Sequence, residues 1–177
     1  MKMADGESRT AVDPDAGEQV LLLAPSTGSP LRALPEDAFE NLLVLSIRSP
    51  RRVERVVREC GGDPRNVGVV PISGTEASYD GPLWTTERVS PSDLTGISMR
   101  FSAGLRHVSA DGYVVVDNLS TLLMYAPEDR LHRFVGHLVQ STRDRGARGM
   151  YAVVAEAVST ETRDRFEGPC DRAVDWR

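Results

Sequence analysis

A chain of 177 residues and 19.4 kDa has the length of one domain, or of one domain with a tail. With 40% hydrophobic and 27% charged residues, its composition is globular and excludes a wholly disordered protein. A net charge of −5 and a pI of 5.3 leave no global basic field to attract nucleic acid or acidic lipid. The basic side is lopsided: Lys2 is the single lysine and the other basic residues are arginines. A GC-rich genome explains that bias, and so does a lysine-poor acidic surface adapted to high salt; composition leaves both open.

Residues 1–17 are polar, aperiodic and broken by Gly and Pro, which predicts a flexible tail and offers no apolar core of a secretory signal. The longest apolar run has only a strand's length, too short to span a membrane. The expected compartment is a reducing cytoplasm, with Cys60 and Cys170 as free, buried small hydrophobes.

Order is expected from residue 18 onward. The segment 19–24 (QVLLLA) is a short continuous apolar run, followed by Pro25-Ser26-Thr27-Gly28-Ser29-Pro30. Such a run suits a strand covered on both faces, the habit of parallel sheets. A weak helix is expected near 35–40. The runs 42–47 (LLVLSI) and 67–72 (VGVVPI) repeat the strand pattern, as do 113–117 (YVVVD), 150–154 (MYAVV) and a last strand at 173–176. Between them lie helical patterns. Ser49-Pro50 opens one, with Val53, Val56, Val57 and Cys60 at i, i+3, i+4 and i+7 and Gly61-Gly62 closing it. Ser90-x-x-Asp93 has capping-box spacing before an apolar face of Leu94, Ile97, Phe101, Leu105 and Val108. Pro127 starts a third helix with Leu131, Phe134, Val135, Leu138 and Val139 on one side, and Ser159 caps a short fourth. The stretch 73–89 is the longest connection. It carries Tyr79 and Trp84, and serves either as a functional loop or as a cover folded back on the sheet.

Strands alternating with helices predict an α/β domain with a mainly parallel sheet and helices on both faces. Ligands of such sheets bind at the carboxyl ends of strands, where the strand order reverses.

The segment 113–121 (YVVVDNLST) resembles the Walker B strand of RecA/KaiC-like P-loop ATPases: four apolar residues, an Asp at the strand end, then a Ser/Thr-rich turn. Together with SPSDLTGISMRFSAGL before it and DNLSTLLMYAPEDRLHRFVGHLV after it, it is similar to haloarchaeal RecA/KaiC-like proteins of unknown function, some labelled transducer-like (HTR-like). The resemblance implies a three-layer RecA/KaiC-type domain over 18–177. With six strands numbered in chain order, it implies a spatial order near 6-1-5-4-2-3.

The same resemblance places Walker A, G-x-x-x-x-G-K-[ST], after the first strand. There, backbone amides cradle phosphates, a Lys reaches the β- and γ-phosphates and a Ser/Thr holds magnesium. Here the loop is Ala24-Pro25-Ser26-Thr27-Gly28-Ser29-Pro30-Leu31. Aligning Gly28 with the second motif glycine puts Ser29 at the lysine position and Pro30 at the magnesium position; a shift of one residue does no better. Pro25 and Pro30 remove two amide donors. Arg32, the nearest cation, lacks the compact point charge of the P-loop lysine. The family's catalytic Glu near the end of the second strand is absent too, since that strand ends Leu45-Ser46-Ile47-Arg48-Ser49. The expectation is a degenerate phosphate loop at Ser26, Thr27, Gly28 and Ser29, no catalytic residues, and no ATP hydrolysis. Asp117 is read as a strand-end carboxylate bonded to nearby backbone amides, with a magnesium role as the alternative.

Other chemistry finds little support. His132 and His137 lie i, i+5 apart, off a shared helix face, with His132 expected on the polar side and His137 at the edge of the buried stripe. No G-x-S-x-G, HExxH or GxGxxG occurs. The basic run 143–148 reads as a solvated helix end. The favoured function is a non-catalytic interaction or regulatory module with a protein partner or self-association, no metal and no cofactor. The alternatives are a nucleotide-binding switch or weak ATPase using ATP and magnesium through an unorthodox loop and, more remotely, a DNA-associated accessory protein.

Overall fold

The computed structural model describes residues 10–76 and 78–177. Seven parallel strands form one sheet: β1 (Gln19–Ala24), β2 (Leu42–Ser46), β3 (Val67–Pro71), β4 (Trp84–Thr85), β5 (Tyr113–Asp117), β6 (Arg148–Val154) and β7 (Arg172–Asp175). Their order is β4-β3-β2-β5-β6-β1-β7. This is the order implied by the RecA/KaiC resemblance, with the short strand β4 added at one edge.

The continuous apolar runs have a simple cause. Successive side chains of a strand point to opposite faces, and here both faces are covered. Leu21, Leu23, Leu43, Leu45, Val114 and Val116 enter one core; their neighbours Val20, Leu22, Leu42, Val44, Tyr113 and Val115 enter the other. The first core is roofed by α2 (Leu94–Leu105), the single turn α3 (Leu119–Leu122), α4 (Glu128–Asp144) and α5 (Thr160–Glu167). The second is roofed by α1 (Pro50–Glu59) and two 3-10 turns, Pro30–Ala33 and Glu36–Glu40.

The helix starts follow cap chemistry. Ser49 accepts the Arg52 amide ahead of α1, with Pro50 in the first turn, and Ser159 caps α5. At α2 the helix opens at Leu94, not at Ser90: Asp93 is the cap and accepts the Gly96 amide at 2.8 Å. The Ser90 hydroxyl is occupied with Ser92, so the expected capping box does not form. The helix expected near 35–40 is a 3-10 turn, and α3 was not anticipated.

Of the expected tail, residues 1–9 lie outside the described residues. The stretch from residue 10 is anchored rather than free at Val12, which is buried in the second core and whose amide donates to the Ala33 carbonyl at 2.7 Å. The apolar side chain, not the polar residues around it, decides its place.

A buried amide braces the start of β1. Gln19 donates through Nε2 to the Gly17 and Ala147 carbonyls at 3.0 and 2.9 Å, and its Oε1 accepts from the Tyr151 hydroxyl at 2.8 Å. Desolvation drives the Tyr151 phenol far above its ordinary value, so it stays a neutral donor.

Phe101, on the core-facing side of α2, is fully buried. Phe101→Ala is expected to cost about 3–5 kcal/mol. Thermal unfolding should register that as a drop of about 2–4 °C per kcal/mol for a chain of this size.

Candidate functional site

The connection after β2 runs to β3 on one side, and the connection after β5 runs to β6 on the other. Between β2 and β5, therefore, the strand order reverses, which in open α/β sheets is the place of the ligand crevice. Ser46 and Asp117 face each other there in register. Asp117 is 3% exposed, and a lone carboxylate so buried is costly to keep ionised. Arg48, two residues beyond Ser46, answers it: Arg48 Nη1 forms an ion pair with Asp117 Oδ2. Burial still pushes the Asp117 carboxyl above its ordinary range, and the charge and hydrogen bond of Arg48 oppose that rise.

The other arm of the same guanidinium reaches the loop after β1. Arg48 Nη2 donates to the Gly28 carbonyl at 2.6 Å. Gly28 makes this possible with φ = 89°, a left-handed conformation in which a side chain is disfavoured. The Arg48 backbone is held by the buried Ser46 hydroxyl, which accepts the Arg48 amide at 2.9 Å and donates to the Arg48 carbonyl at 3.1 Å. One side chain thus ties together the carboxyl end of β2, the carboxyl end of β5 and the loop after β1.

The four loop positions have different fates. Ser26, Thr27 and Gly28 are exposed. Ser29 is buried and its hydroxyl accepts the Leu31 amide at 3.2 Å, capping the 3-10 turn Pro30–Ala33. Toward the crevice the loop presents the Gly28 carbonyl, which suits a cation; a phosphate cradle presents amides. The Ser/Thr-rich turn after Asp117 is likewise occupied in structure. The peptide bond Asp117–Asn118 is cis, Asn118 accepts the Ser120 amide at 2.9 Å and caps α3, and the Ser120 hydroxyl accepts the Val154 amide at 2.8 Å.

Sequence reasoning brought Asp117 and the loop to one place and missed Arg48, noted only as the residue standing near a missing carboxylate. A signal existed. An apolar strand ending in a carboxylate needs a countercharge at its own end of the sheet, and Arg48 follows the neighbouring strand's terminus. Arg32, the cation nearest the loop in sequence, instead pairs with Glu59 on α1.

The remaining candidates lie elsewhere. His132 is half-buried and His137 exposed, the reverse of the expected placement. His107 lies against the indole of Trp84, ring centroids 5.1 Å apart. Trp84 does fold over the sheet edge, where Gly68 leaves the space its ring occupies. Among the described residues no three His, Cys, Asp or Glu side chains come together to hold a metal. Burial pushes the Cys170 thiol up to about 12 and raises that of Cys60, which makes neither a ready nucleophile. No helix among the described residues is long and apolar enough to cross a membrane.

A family described as "Family of unknown function (DUF7504)" matches residues 17–176. No curated protein matches the chain. Among solved structures, the KaiC-like protein PH0186 from the hyperthermophilic archaeon Pyrococcus horikoshii OT3 is similar at 12% identity and a TM-score of 0.63, over 92% of this chain and 74% of that one. A second protein of the same organism, studied under Project ID PH0250, is similar at 13% identity and a TM-score of 0.58, over 92% of this chain and 83% of that one. At these identities the likeness establishes a RecA/KaiC-like fold.

Removing Arg48 strands a buried carboxylate, so Arg48→Ala is expected to cost about 3–5 kcal/mol at neutral pH. Adding Asp117→Asn should recover part of that loss. The pH dependence has a fixed sign. A folded-state carboxyl pKa raised above the unfolded value means that the folded state holds the proton longer, so stability falls as pH rises from about 4 through the folded value. Without Arg48 the fall is steeper. The stability gap between wild type and Arg48→Ala, measured by urea unfolding, should widen from about pH 4 to 7; a gap independent of pH would refute the pairing.

Proposed function

The chain belongs to the family of unknown function DUF7504, and from that premise we propose that this RecA/KaiC-like domain is a non-catalytic interaction or regulatory module that acts through protein contacts. The observation that carries the reading is Arg48. Its guanidinium lies between Asp117 and the Gly28 carbonyl, where a P-loop enzyme of this fold would use a carboxylate for magnesium and a loop for phosphate. A tethered cation satisfies the carboxylate without a metal. Catalysis of phosphoryl transfer rests on positioning and charge stabilisation around the transferred group. The loop offers no lysine, prolines at 25 and 30, and at Ser29 a hydroxyl already spent on a cap.

Protein contact is supported by the surface. Met99, Met124 and Tyr125 are 68%, 79% and 52% exposed. Contiguous exposed apolar surface marks interaction sites, and of these residues Met124 and Tyr125 are neighbours in the chain. The partner is another protein or a second copy of the chain, met in the cytoplasm.

Exposed Ser26 and Thr27 favour one competing reading, a nucleotide-responsive switch in which ATP with magnesium draws Arg48 away from Asp117. Thermal unfolding separates the two. Millimolar ATP bound with ten-micromolar affinity would stabilise the fold by roughly 2.7 kcal/mol. The proposal expects no shift in melting temperature with ATP–magnesium and no phosphate release, in low salt and in multimolar salt alike. A clear shift establishes the switch; phosphate release above a no-protein blank establishes the ATPase.

A further inference from the structure

We propose that a second hollow, one strand away from the Arg48–Asp117 crevice, is a binding site for a small organic oxyanion. The hollow opens at the carboxyl ends of β2 and β3 under the described parts of the excursion, 73–76 and 78–89, and has a volume of about 310 Å³, within the range of sites for small molecules. Its inner wall is apolar, from Ile47, Pro71 and Ile72, and its rim carries the arginines Arg48 and Arg88 with the hydroxyl of Thr75.

The roof is fixed before any ligand arrives. Ile72 bridges Val89 in parallel, the Val89 amide donates to the Pro71 carbonyl at 3.0 Å and the Ser73 amide to the Val89 carbonyl at 3.0 Å. Arg88 Nη1 closes the same junction on the Ser73 carbonyl at 2.8 Å. The middle of the excursion is pinned through Tyr79, whose hydroxyl donates to Glu54 on α1 at 2.5 Å and accepts the Leu83 amide at 3.2 Å. A site already shaped loses little ordering entropy on binding.

The charge balance points to an anion. Arg88 is only weakly neutralised: its nearest carboxylate oxygen, on Glu76, is 3.9 Å away on a side chain 90% exposed, a pair that solvent screens. Its Nε is buried without an acceptor among the described residues. Glu87 is the one carboxylate among the lining residues, and it is exposed. A guanidinium with donors to spare, beside a hydroxyl and above an apolar wall, matches an oxyanion group on an apolar or planar body, a phosphate or a carboxylate. Arg48 walls both this hollow and the crevice, so an occupant here lies against the residue that holds Asp117. The inference shares Arg48 with the functional reading above but does not rest on it, since its charge argument is carried by Arg88.

Phenyl phosphate and benzoate are the probes, with inorganic phosphate as the charge alone and benzyl alcohol as the body alone, each titrated into the full chain and followed by amide NMR. Saturable shifts are expected at Ser73, Thr75 and Arg88, with phenyl phosphate or benzoate binding more tightly than either fragment. The better of the two identifies the headgroup. Arg88→Gln is expected to weaken binding about tenfold or more, the worth of a charge-assisted hydrogen bond. Because Arg88 also clamps the excursion, Thr75→Asp supplies a second variant. It sets a negative charge on an exposed rim position, and should weaken binding to a similar degree while leaving the melting temperature unchanged. Absence of saturable shifts, equal binding of benzyl alcohol, or affinity indifferent to Thr75→Asp would overturn the site; an ATP response that persists unchanged in Thr75→Asp belongs to the crevice and not to the hollow.

Discussion

A carboxylate at the end of a parallel strand, closed in by neighbouring strands, has to find a positive charge or lose its own. Asp117 finds Arg48, and much of the upper face of this molecule follows from that need. The guanidinium is planar with paired donor arms, so satisfying Asp117 with one arm leaves the other aimed at the Gly28 carbonyl. Ser46 fixes the backbone from which the side chain leaves. The loop after β1 is thereby fastened to the end of β2, three places away across the sheet, with β6 and β5 between. A bare loop at this position would be free to wrap an incoming anion; this one is already engaged.

The sheet beneath is the means by which so few residues hold such a geometry. Its strands are buried on both faces, so their registers are strongly specified. The relative positions of Ser46, Asp117 and Ala24 are set by core packing far larger than any single polar contact. Interaction chemistry is then confined to what lies beyond the strand ends: a crevice filled by the protein's own cation, and next to it a hollow under a pinned excursion. The RecA/KaiC-like scaffold persists at 12–13% identity to its structural neighbours, because a doubly covered parallel sheet asks only for apolar residues of suitable volume.

This division explains what the sequence could and could not reveal. Runs such as QVLLLA and YVVVD disclose buried strands by composition alone, and Ser49-Pro50 or Ser159 disclose helix starts by cap chemistry. The position of Asp117 was legible for the same reason, since an apolar run that ends in a carboxylate is a strand leaving its core. Arg48 was not, because its role depends on which strand lies beside β5, and adjacency is a property of topology. Trp84–Thr85 was hidden as a strand because two residues carry no periodicity. The cap of α2 slipped from Ser90 to Asp93 because both spacings are chemically sound and only the Ser90–Ser92 contact decides between them. The docking of Val12 escaped notice as one apolar residue in a polar stretch.

One feature of the sheet bears on how the molecule comes to exist. β1 lies between β6 and β7, so it must wait for two strands made long after it: Leu21 meets Tyr151 and Ala173. Until then its apolar side chains and both rows of backbone groups have no native neighbour, while β2 and β3 can join at once. Such distant pairing is slow and leaves sticky edges exposed in the interval. A nascent chain arrested before residue 148 would therefore hold a half-built sheet with an orphan strand, and in the cell it would be the business of chaperones and proteases.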